Sequence, residues 1–100
     1  MDKQQIQSEY DLAISVLAKP LDSAEDLGKR WYLEDLHTSL DVFRKQVRDF
    51  NDLELDRWLT KVTNDISEGL AAQGLRGSRQ QAFLVAIIDE ITSRDGAIVR

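Results

Sequence analysis

The single histidine of the chain, His37, stands three residues after Glu34, so a carboxylate and an imidazole fall on neighbouring positions of a helical turn. This is the Glu-x-x-His spacing with which helical bundles hold pairs of metal ions, each imidazole backed by further inward glutamates. The remaining ligands are missing from this sequence, which has no second histidine. Leu36 belongs to the apolar seam of its helix, and at 100° per residue Glu34 and His37 are turned about 160° and about 100° away from that seam. The pair is expected on a solvated face, and neither a metal nor another cofactor is expected.

Other catalytic arrangements find little to work with. A nucleophile would need the same imidazole as its base, and Ser39, the nearest serine, has no third orienting residue marked by a motif. The acid pairs Glu34-Asp35 and Asp89-Glu90 are adjacent and so diverge on a helix, as solubilising carboxylates do. There is no cysteine, which removes thiolate nucleophiles, disulfides and cysteine metal sites. The sequence predicts a protein that is not an enzyme.

The stretch Gly74-Leu75-Arg76-Gly77-Ser78-Arg79 gathers two glycines, two arginines and the start of a helix. A helix N-terminus offers free N–H groups and partial positive charge, so Arg76 and Arg79 could receive an anion or an acidic partner there. It is not a phosphate loop, because the lysine and the fixed glycine spacing are absent. Nor does it open a DNA-reading helix, since Ala82-Phe83-Leu84-Val85-Ala86-Ile87-Ile88 is a core sequence where polar base-reading side chains would be needed. The alternative function carried by this loop is a nucleic-acid-associated regulator that also uses Arg44, Lys45 and Arg48. A formal net charge of −5 weighs against nucleic acid, although the last quarter of the chain is net basic by one charge.

Four helices must position these residues, over about 4–19, 24–50, 52–73 and 79–94, within one domain spanning 1–100. In the first, Ile6, Tyr10, Ala13, Ile14, Leu17 and Leu21 recur on one face, Leu12 and Val16 stand off it, and Pro20 ends it. The second opens at Ser23 with Glu25 and Asp26 in its first turn, is weakened by Gly28, and carries the seam Leu33, Leu36, Leu40, Phe43, Val47 and Phe50. Asn51 with Glu54 reads as a capping pair. The stripe Leu55, Trp58, Leu59, Val62, Ile66 and Leu70 follows, until Gly74 closes the third helix. Ser78 with Gln81 is the expected cap of the fourth, whose face is Phe83, Leu84, Ile87, Ile88 and Ile91. Arg94, Asp95 and Gly96 are expected to stop it, leaving Ala97–Arg100 frayed.

No run alternates with a period of two, so the fold class is all-α, a small four-helix bundle with an up-down-up-down antiparallel course. Its common core is expected to be Leu40, Phe43, Val62, Ile66, Phe83, Ile87 and Ile88. No apolar run approaches the roughly 20 residues of a membrane span, and no signal peptide is seen, so a cytoplasmic location is expected.

After the core is assigned, Leu27, Trp31 and Val42 lie about 140–180° around the second helix from its seam. Trp31, Asp35, Thr38 and Val42 follow one another at four, three and four, a second stripe on the opposite side. Tryptophan is enriched among residues that dominate protein interfaces, while the alternative for this stripe is a wider core face, with a middle helix touching two neighbours and Trp31 covering the end of the core. The expected function is therefore a protein–protein interaction module, an adaptor, regulator, inhibitor or chaperone-like protein. Its binding residues are Trp31, Val42, Leu27, Arg76 and Arg79, and its partner is another protein or a second copy of the chain in a homodimer.

Overall fold

The computed structural model describes residues 3–20, 27–73 and 77–99. They form four helices, α1 (Lys3–Leu17), α2 (Leu27–Val47), α3 (Asp52–Gln73) and α4 (Ser78–Val99), with no strand among the described residues. This is an all-α, four-helix protein, and no described helix is long and apolar enough to cross a membrane.

Helix α4 organises the packing, because each of the other three lies against it, α2 most extensively. Its sequence explains why. Ala82, Leu84, Val85, Ala86 and Ile87 are all buried, and Phe83, Ile88 and Ile91 are partly so, which leaves no broad polar side in the middle of the helix. A helix apolar nearly all round is stable only when neighbours surround it. The small side chains of Ala82 and Ala86 leave room for a close neighbour.

The sense of the helices follows from their cross-contacts. Asp35 meets Ser78, the Phe43 ring lies 4.9 Å from Phe83, and Arg44 reaches Asp89 at 3.4 Å, so positions advance together and α2 runs parallel to α4. Trp58 packs on Phe83 at 5.6 Å while the earlier Asp52 pairs with the later Arg94 at 3.0 Å, so α3 runs against α4. In a square up-and-down bundle α2 and α4 would be diagonal partners. Here they are the most intimate pair, and the wide apolar face belongs to α4.

Of the expected core, Leu40, Val62, Ile66 and Ile87 are buried, joined by Leu36, Val47, Leu55, Leu84 and Val85. Phe43, Phe83 and Ile88 pack against this cluster but are only partly buried. In α1 the buried line is Glu9 and Ala13, flanked by Ile6, Tyr10, Val16 and Leu17. Val16 therefore belongs to the packed face, and Ile14, expected there, is exposed. The face centres on Ala13, and Ile14 is rotated about 100° from it.

The helix ends show where local signals sufficed. Asn51 and Glu54 cap α3 reciprocally, with Glu54 N–H donating to Asn51 Oδ1 at 2.8 Å and Asn51 N–H donating to Glu54 Oε1 at 2.9 Å. Helix α2 stops at Val47, short of the expected residue 50. Asp49 and Phe50 N–H instead bond three residues back, to Gln46 and Val47, in the tightened turn common at helix ends. The cap of α4 lies one residue before the expected one: Gly77 N–H bonds Gln80 Oε1 at 3.4 Å, Ser78 turns to Asp35, and Gln81 is buried. Arg94–Gly96 do not stop α4, which continues to Val99, and Arg94 pairs with Glu90 one turn back at 3.0 Å. The expected signals at Ser23 and Gly74 lie outside the described residues.

Candidate functional site

Helices α2 and α3 both rest on α4 and touch each other little, so a groove opens between them above α4. Its volume is about 180 Å³, and Phe43, Trp58, Val62 and Phe83 form its apolar part. The rings support one another: Phe43 and Phe83 are tilted at 4.9 Å, Trp58 meets Phe83 edge-on at 5.6 Å, and Phe50 stacks on Trp58 at 6.3 Å. Such geometries are favourable for aromatic pairs and hold the rings in place. Lys61, Asp65, Arg79 and Gln80 complete the lining. Lys61 is paired with Asp65 at 3.4 Å, whereas Arg79 stands 4.0 Å from Asp35 with its side chain 79% exposed.

The stripe on α2 approaches this groove through the contact of Asp35 with Arg79. Trp31 is 62% exposed and Val42 48% exposed, so neither belongs to the core. Between them Asp35 accepts the Ser78 hydroxyl and approaches Arg79, which also lines the groove. Trp31, Val42 and Arg79 thus stand around one side of the molecule. Leu27 opens α2, its side chain outside the described set, and Arg76 lies outside the described residues.

The basic residues of the nucleic-acid reading are not gathered in the same way. Arg44 pairs with Asp89, about 180° around α2 from Asp35 and Arg79. Lys45 and Arg48 are exposed. Glu34 is paired with Arg30 at 3.3 Å rather than with His37, which is exposed. No group of three or more potential metal-binding side chains stands together among the described residues.

Trp58 is a groove residue that the sequence did not single out for binding. Its period puts it in the apolar stripe with Leu55, Leu59 and Val62, yet it is 39% exposed. The stripe of α3 is wider than the surface that α4 offers it, and α2 does not cover the remainder. A usable signal was present in the sequence: α3 carries a large ring at the stripe edge next to the charged Arg57 and Lys61.

Comparison with family models, with curated proteins and with solved structures finds no match for the chain.

Proposed function

We propose that this protein acts by binding another protein, and that the exposed stripe of α2 bearing Trp31 and Val42 is where it binds. The observation that carries this reading is the placement of the tryptophans: the chain has two, and both lie at the surface while aliphatic side chains fill the core. A single exposed leucine such as Leu53 is ordinary on any protein surface. Tryptophan is different, because its large ring gains much when covered and it is the residue type most enriched where interfaces concentrate their energy.

The test is a Trp31→Ser, Val42→Ser variant compared with the parent for melting temperature, self-association and capture of partners from the cell that makes it. The expected result is an unchanged melting temperature together with loss of a specific partner, a weakening of about 2 kcal/mol or more, roughly thirtyfold. A variant that unfolds as it loses binding, or one that binds as the parent does, would overturn the assignment.

A further inference from the structure

We infer that the groove at Trp58 is a receptor for one large apolar side chain of a partner segment that also carries a carboxylate for Arg79. This rests on the protein-binding reading and specifies the chemistry of the partner. The first ground is size. At about 180 Å³ the groove is smaller than the roughly 300–1,000 Å³ of typical small-molecule pockets, so it suits a single side chain. The second is its floor of Phe43, Phe83, Trp58 and Val62, which offers apolar and aromatic contact. An anchor side chain entering such a pocket is the usual centre of a protein interface.

Charge selects the flanking group. The lining carries two cations, Lys61 and Arg79, and one carboxylate, Asp65, which Lys61 already engages at 3.4 Å. Arg79 is weakly engaged, since Asp35 lies at the 4.0 Å limit of an ion pair and also accepts the Ser78 hydroxyl. A guanidinium presents five N–H donors in a planar fork suited to a carboxylate. With Asp35 counted beside Arg79 the groove mouth is neutral, in a chain whose net charge is −5, and its most exposed cation is the loosely held Arg79. The same cations rule against a methylated-lysine anchor. An aromatic cage needs ring faces around an empty centre, whereas these rings lie against one another at 4.9 and 5.6 Å.

Two small probes with the same ring and opposite charge test the proposal on the full chain. Indole-3-acetate presents the tryptophan ring with a carboxylate, and tryptamine presents it with an ammonium. Titrations followed by NMR at the Trp58 indole N–H should show saturable shifts with indole-3-acetate and weaker binding of tryptamine. Arg79→Ala, at a side chain that is 79% exposed and outside the core, should weaken indole-3-acetate about two- to fivefold and leave tryptamine as tight as before or tighter. The Trp31→Ser, Val42→Ser variant should bind indole-3-acetate as the parent does. No saturable shift at Trp58 with either probe would overturn the groove as a receptor. Tryptamine binding as tightly as indole-3-acetate, or no effect of Arg79→Ala, would overturn the acidic partner. Partner loss in the stripe variant without any probe response would sink this inference and leave the protein-binding reading standing.

Discussion

Arg94, on the last turns of α4, donates to the carbonyl of Phe50 at 2.6 Å, so a residue 44 positions away closes the end of α2. The same guanidinium lies 3.4 Å from the Val47 and Arg48 carbonyls, 3.0 Å from Asp52 and 3.0 Å from Glu90. The last carbonyls of a helix have no partner within it, and here a planar five-donor fork from another helix supplies one.

Arg94→Met should therefore lower the melting temperature, and Arg94→Lys should fail to restore it, because a point cation cannot span carbonyls and carboxylates at once. Amide exchange should accelerate first around residues 47–55. Full rescue by lysine would show that charge alone is what matters at this position.

Tyr10 makes a pH-dependent contribution. Its phenol donates to Asp89 at 2.5 Å and is pushed up to about 12, first by that hydrogen bond, then by burial and by the negative charge of Asp89. The neutral phenol is favoured in the folded state. Its contribution is therefore present in full below the ordinary value of 10.0 and is lost as pH rises from there through about 12. Tyr10→Phe should cost about 1 kcal/mol at neutral pH and flatten this alkaline loss. Thermal melts across the alkaline range, with the tyrosinate absorbance recorded alongside, check both effects; an equally steep loss in the variant would reject the assignment.

Gln81 is 2% exposed, and its Oε1 has no hydrogen-bond partner. A buried acceptor left unsatisfied costs about 1–3 kcal/mol. Gln81→Met keeps a similar length without the polar atom and should raise stability by about 1 kcal/mol, read as a higher denaturant midpoint. A lower midpoint would mean that the amide is needed where it sits.

Much of the fold was readable because it is local. The Asn51–Glu54 cap lies within four residues, and the seam of α2 repeats at a spacing that only a helix satisfies. What escaped depends on distant partners. Ser78 looks like a cap, yet Asp35, 43 positions away, takes its hydroxyl, and the cap passes to Gly77 and Gln80. Arg94 reads as a stop signal because nothing nearby reveals the carbonyls it will meet. Trp58 reads as one more member of an apolar stripe because periodicity gives the direction of a face and not its width. That Trp31 and Val42 stand off the seam was legible, but not whether a neighbouring helix would cover them; nor was the groove, because it exists only where α2 and α3 fail to touch.

The central position of α4 has a consequence for assembly. Helices α1, α2 and α3 share only slight contacts with one another, so none of them can close a core before α4 exists. It is also the last of the four to be synthesised. The nascent chain thus carries three amphipathic segments whose apolar faces lack their main cover until residues 78–99 emerge, and Tyr10 must wait for a partner 79 positions later. Folding is then a single late event, in which one helix arrives and the other three settle on it together.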